Sequence, residues 1–282
     1  MGDLQLSTDR SDLPAATSLG GDVSAVQRAL RAARSLGFFL FYFVYLIFFV
    51  GLLQRLVIWP LITLRPSHRD QIVGRWLRLN GRATMALCRV LANVQMTVHG
   101  AIPAGNFVVL MNHQSVVDIA IGLALVPPTA IIPTRERYRY GLPGISPLAR
   151  LARFPFVSQK ARATKAEVVA LARAAELVEA GAHTLLIFPE GHRTESGDIG
   201  PFMTSGLELI LARARRPVYC IVGDGMHRTR TFHDATRRFA DSDIRIQILG
   251  PFDPPAEKGK IAPFLASLRE HMVDTLGKLR AA

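Results

Sequence analysis

The sequence predicts an α/β domain, a mixed sheet flanked by helices, preceded by a hydrophobic helical segment that anchors it to a membrane. Three observations predict it. Residues 37–53, "GFFLFYFVYLIFFVGLL", carry no charge. From about residue 95, short β-rich runs alternate with helical spans, the pattern of a layered α/β sheet. Two of the apolar runs stop abruptly at polar clusters, "MNHQSVVD" and "FPEGHRT".

Residues 1–35 are polar and mixed in charge, and they read as a mobile tail with a short basic helix over 25–34. The uncharged run that follows gives about 25 Å of helix, close to the roughly 30 Å of a hydrocarbon core. Gln54 and Arg55 interrupt it, and "LVIWPLITL" resumes, with Pro60 expected to kink or break the helix. A spanning helix and a helix–kink–helix lying in one leaflet both fit. Arg28, Arg31 and Arg34 precede the run, whereas Arg55, Arg65, Arg69, Arg75, Arg78, Arg82 and Arg89 follow it. That asymmetry predicts that the bulk of the chain is cytoplasmic, and a bacterial inner membrane is the expected location. Residues 66–94 read as a basic helical pair, lying against headgroups or presenting a solvated charged face, so that the anchor and basic segment together span 36–94.

Residues 95–282 form the remaining domain. Strands are expected at 94–98, 106–111, 129–133, 154–158, 184–189, 217–222 and 244–249. Helices are expected at 114–125, 164–181, 203–214 and 261–279. The net charge of +12 and pI of about 10.6 suit acidic partners such as phosphate-bearing ligands or anionic lipid. Only five of the 34 basic residues are lysine. Abundant arginine and alanine also fit a GC-rich coding bias. Interleaved aromatics and recognition motifs are lacking, so no nucleic acid is expected. Cys88 and Cys220 form no CxxC pair, and the histidines lack metal-ligand spacing, so no metal is expected. Walker, GxGxxG and GxSxG signatures are missing as well, which leaves no support for a nucleotide cofactor or a serine hydrolase.

Two stretches carry chemistry. Within one helix His113 and Asp118 would be about 140° apart and could not meet. They meet if His113 sits on a turn after a strand, Asn112 and Ser115 start the helix, and its second turn offers Asp118. The carboxylate then fixes one imidazole nitrogen and frees the other to take a hydroxyl proton. These residues also admit a plainer reading, a capping histidine and a surface aspartate. In the second stretch Glu190 and Arg193 lie on a tight loop, Gly191 allows close backbone approach to a ligand, and Arg193 can fork onto phosphate.

Together the stretches resemble the glycerolipid acyltransferase family, the group that includes 1-acylglycerol-3-phosphate acyltransferase. Asn112, His113 and Asp118 match its N-H-x4-D block, and residues 188–194, "FPEGHRT", match its F-P-E-G-T-R-S block. Pro201, Phe202 and Gly206 follow in the family's order, then the strand "RPVYCIV". The resemblance implies acyl transfer to a lysophospholipid hydroxyl, with His113 as base and Asp118 as its partner. Asn112, Glu190, Gly191, Arg193 and Lys160 would serve the acceptor. No cofactor is implied; acyl-CoA or acyl carrier protein is the co-substrate, and membrane lipids are partners. Arg135, Arg137, Arg139, Arg150 and Arg153 could meet donor phosphates or form a solvated surface.

Departures also stand out. His192 replaces a threonine, Gln159 sits where the family has an arginine, and Met203 sits where lysine is common. They leave the acceptor open: 1-acylglycerol-3-phosphate, another lysolipid such as lyso-ornithine lipid, or none, in a lipid-binding module without turnover.

Overall fold

The computed structural model describes residues 24–158 and 164–281. Helix α1 (Ala25–Val44) starts at Ser24, whose hydroxyl and the Gln27 side chain cap it reciprocally. The expected boundary at residue 35 is absent, because the basic turn runs straight into the apolar run. Wider turns over Tyr45–Leu52 and Gln54–Ile58 follow, then α2 (Trp59–Leu64). Pro60 therefore does not break the helix. It falls where wide turns give way to α-helix, and wider turns shift the carbonyls that the proline ring would otherwise strike. The chain leaves the helix at Arg65, just before Pro66.

The expected basic pair is one helix, α3 (Arg69–Ala92), ended by Asn93 in the left-handed conformation. Its two glycines are close-packing positions rather than breaks. A Cβ on Gly74 would lie 2.2 Å from the Pro128 carbonyl oxygen, and one on Gly81 would lie 2.8 Å from the backbone of Ala124. Arg75, Arg82 and Arg89 are exposed and recur every seven residues, which puts them on one stripe.

The remaining elements in chain order are β1 (Gln95–His99), β2 (Val108–Met111), α4 (Asp118–Leu125), β3 (Ala130–Ile131), β4 (Thr134–Arg135), α5 (Ile145–Leu151) and β5 (Phe156–Val157). Then come α6 (Lys165–Glu179), β6 (Thr184–Ile187), α7 (Thr204–Leu211), β7 (Val218–Asp224), α8 (Phe232–Arg238), β8 (Asp243–Phe252) and α9 (Ile261–Ala281). The main sheet is ordered β1-β8-β7-β2-β6-β3; β7 and β8 are antiparallel and the other neighbours parallel, so the sheet is mixed as expected. The expected strand at 154–158 does not join it, and β5 pairs with β4 in a separate two-stranded sheet.

Strands β2 and β6 are buried at every residue, which is why both read as unbroken apolar runs. Gly122 of α4 lets that helix close onto Leu186 and Met111. Helices α6, α7 and α9 form a second group, with α9 against β7 and β8. The N-terminal apolar helix shares this core: Phe38 and Phe39 pack against Phe239 with tilted rings, at separations of 5.1 and 5.4 Å.

Candidate active site

In a parallel sheet, ligands gather where the strands deliver their carboxyl ends. Central β2 has β6 on one side and β7 on the other, so the loops after these three strands meet. Two of them carry His113 and Glu190, and Gly223 lies beside them at the end of β7.

His113 Nδ1 lies 2.8 Å from Asp118 Oδ2, and the imidazole is mostly enclosed, with its side chain 15% exposed. Two more donors converge on the same oxygen: the N–H of Gln114 at 2.6 Å and of Ser115 at 2.7 Å. These bonds draw residues 113–117 into a turn, so α4 begins at Asp118 and not at residue 114. Asp118 thus stands in the first turn, where the sequence placed it in the second. Three donors fix a carboxylate that has no freedom to swing away from the imidazole. The face of the His113 ring stacks on Phe188, with centroids 4.2 Å apart. One nitrogen is held by Asp118 and one face by Phe188, so Nε2 has a set direction.

The backbone of His113 is clamped as well. Its N–H donates to Glu190 Oε1 at 3.0 Å, and its carbonyl accepts the N–H of Thr194 at 2.8 Å. Glu190 Oε2 accepts the N–H of Gly200 at 2.9 Å. Glu190 is 1% exposed, and burial pushes its carboxyl above the usual range. The sequence assigned Glu190 to the acceptor, but its oxygens face backbone donors in the interior. Asn112 is likewise held by backbone groups. Its amide donates to the Gly223 carbonyl and accepts the Gly223 N–H, both at 2.8 Å, so it ties β2 to β7 and starts no helix.

Gly191 adopts φ +70°, and a Cβ there would lie 2.3 Å from Met203 Sδ. The close approach the sequence anticipated is made by Met203, the residue standing where lysine is common. Arg193 is partly buried and donates to the Arg230 carbonyl oxygen. Burial pushes its guanidinium down, and the like charges of Arg137 and Arg230 add to that. Arg135 extends from β4 to the Gly191 carbonyl at 3.2 Å, and burial and the like charges of Arg137 and Arg193 push it down too. Arg135, Arg137 and Arg193 thus gather positive charge, and Arg193 brings it within reach of Asp118, while Arg230 is paired with Glu195. Arg135 was legible only as one of several loop arginines. The spacing of "TRERYRY" did not separate it from its exposed neighbours. Lys160, Gln159 and Arg162 lie outside the described residues. Among the described residues, no three histidine, cysteine or carboxylate side chains converge as a metal site would require.

Residues 95–224 match the protein-family model described as Acyltransferase. The chain is also similar to the crystal structure of the 1-acyl-sn-glycerophosphate acyltransferase from Thermotoga maritima. That likeness has a TM-score of 0.69 at 23% identity, over 90% of this chain and 98% of that one, and it shows a shared fold. No curated protein sequence matches.

Proposed function

Residues 95–224 match the acyltransferase family model, and on that premise we propose that this chain is a membrane-bound lysophospholipid acyltransferase. It moves a fatty acyl group from a thioester, acyl-CoA or acyl carrier protein, to the free hydroxyl of 1-acylglycerol-3-phosphate, giving phosphatidic acid. The observation that carries the reading is the 2.8 Å contact between His113 Nδ1 and a triply held Asp118, which leaves Nε2 to act as base.

The acceptor hydroxyl gives its proton to Nε2 as its oxygen attacks the thioester carbonyl. The tetrahedral intermediate then expels the thiolate, which takes the proton back from the imidazolium. No covalent acyl-enzyme is required, because the thiolate already leaves well. Proton transfer by a positioned base contributes about 10²–10⁴ in rate. Arg193 and Arg135 support a phosphate acceptor. A phosphomonoester carries up to two negative charges, and two forked guanidinium groups complement it better than they complement a zwitterionic amino-acid lipid.

The anchor supports a lipid substrate, and its geometry favours the in-plane reading over the spanning one. The helix from Ala25 to Leu64 has the length and composition to cross a membrane. Yet Arg31, before the apolar run, donates to the Ala240 carbonyl, while Arg69, after it, donates to that of Leu151. Between them Tyr42 bonds Thr84, and the backbone at Leu46 abuts Gly144. Both ends are held by one domain, whereas a spanning helix delivers its ends to opposite sides. The other face exposes Leu40, Phe43, Phe48, Leu52 and Leu56, as an interfacial helix does.

The test supplies washed membranes holding the protein with labelled acyl-CoA or acyl carrier protein and a panel of lysolipids, with products read by mass. Phosphatidic acid as the main product is expected. Product from lyso-ornithine lipid alone would move the assignment to that acceptor, and no product from any acceptor would favour a lipid-binding module without turnover.

A further inference from the structure

A second basic site lies outside the catalytic centre. A cavity of about 700 Å³ opens between α1, the turn after β7, and the end of α8. Arg28 and Arg31 line it from α1, His227 and Arg228 from the turn, and Arg237 and Arg238 from α8. Two carboxylates share the rim, but each has a basic partner of its own: Asp241 pairs with Arg34 at 2.6 Å and Asp243 with Arg245 at 3.0 Å. Arg228, Arg237 and Arg238 form no ion pair among the described residues. The buried Nδ1 of His227 has no hydrogen-bond partner among them either. Positive charge therefore converges on one concavity, which suits an anion.

The surroundings indicate which anion. Leu30 on α1 is 65% exposed and Phe232 at the start of α8 is 62% exposed. Phe232 also packs edge-on against Phe39 of the anchor, at 5.4 Å. Phe232 thus ties α8, which carries Arg237 and Arg238 into the cavity, to the N-terminal apolar helix. Phe232 and the Arg237–Arg238 pair sit about 8 Å apart along α8, roughly the depth between the acyl boundary and the headgroups.

We propose that this cavity binds the phosphate headgroup of an anionic phospholipid in the membrane, at a site distinct from the acceptor site beside His113. The inference rests on the membrane-bound reading given above. The floor of the cavity reaches the dyad: Thr229 Oγ1 lies 3.2 Å from Ser115 Oγ, and the N–H of Ser115 donates to Asp118. A lipid held there docks the domain with its active site against the leaflet that supplies the acceptor.

Vesicle flotation of the full chain tests this, on phosphatidylcholine alone and on phosphatidylcholine containing a minority of phosphatidylglycerol. Wild type is expected to float on both and to bind the anionic vesicles more tightly. Arg237→Gln with Arg238→Gln should keep the neutral binding and lose about tenfold to thirtyfold of anionic binding, since each surface arginine contributes appreciably near charged headgroups. Arg237→Lys with Arg238→Lys should restore most of it. Arg213→Gln with Arg215→Gln, before β7 at the opposite end of the sheet, removes the same charge and should leave the preference intact. Equal loss in that control would reduce the effect to net charge and overturn the site. So would an unchanged preference in the Arg237/Arg238 variant, including a case where that variant loses only its affinity for acyl carrier protein. Failure of wild type to float on either vesicle would instead remove the membrane reading itself.

Discussion

The Glu190 carboxylate receives the backbone N–H of His113 at 3.0 Å, across 77 positions of sequence. It thus holds the backbone that carries His113. Replacing it with glutamine leaves one acceptor oxygen for two backbone donors, His113 and Gly200, and sets an NH2 against the other N–H. An unmet buried donor costs about 1–3 kcal/mol, and if that cost appears as lost positioning it corresponds to about five- to hundredfold in rate. Glu190→Gln should therefore lower kcat by such a factor while the KM for lysolipid stays near its wild-type value. Steady-state kinetics over acceptor concentration check this. A raised KM with unchanged kcat would return Glu190 to the acceptor.

The dyad makes a sharper demand. His113→Ala should cost about 10²–10⁴ in kcat with folding and membrane binding unchanged. Asp118→Asn keeps the shape and can set its amide oxygen where the three donors converge, but it removes the charge that strengthens those bonds, so the turn over 113–117 should loosen. We expect it to lose activity comparably and to melt at a lower temperature than His113→Ala. Turnover assays paired with thermal melts separate the two. Retained turnover in His113→Ala would remove it as the base.

These contrasts show what the sequence could carry. Strands β2, β6 and β7 were legible because burial on both faces writes them as apolar runs. His113 and Asp118 were legible because their side chains do the work. The backbone groups that Glu190 and Asn112 bond were not legible, because backbone partners leave no mark on the sequence. The short helices α5 and α8, of seven residues each, are too brief for a hydrophobic period to show. The docking of the anchor depends on Phe38 and Phe39 meeting Phe239, a match some 200 positions away that no local pattern encodes.

Arg193 and Arg135 should act on binding rather than turnover. Removing either guanidinium deletes charge-assisted bonds of about 1.5–3 kcal/mol, or roughly ten- to hundredfold. Arg193→Ala and Arg135→Ala should each raise the KM for 1-acylglycerol-3-phosphate by about that factor. A zwitterionic lysolipid, lacking the phosphomonoester, should be affected far less. Competition between the two acceptors in one assay reads the difference directly, and equal penalties for both lipids would remove the phosphate assignment.

Gly191 separates two constraints that usually travel together. Its φ of +70° disfavours any side chain, and Met203 Sδ occupies the space a Cβ needs. Gly191→Ala should destabilise the fold by about 1–2 kcal/mol from the backbone alone and by more from the collision. Adding Met203→Ala clears the collision and leaves the backbone cost. The double variant should therefore be less destabilised than the sum of the two single ones, a coupling that a double-mutant cycle of thermal or denaturant melts measures. Strict additivity would mean Met203 swings aside at no cost and the glycine serves its backbone conformation only.

Cys88 and Cys220 are buried in apolar surroundings, and burial pushes both thiols up to about 12. The thiolate is the reactive species, so at neutral pH each is almost wholly in its inert form as well as out of reach. Maleimide or a disulfide reagent should leave acyl transfer unchanged and label neither cysteine in the native protein. Both should react on unfolding. Rapid native labelling of Cys220 would mean that β7 opens locally, and since β7 carries Gly223, the partner of Asn112, activity should then fall in step with the labelling.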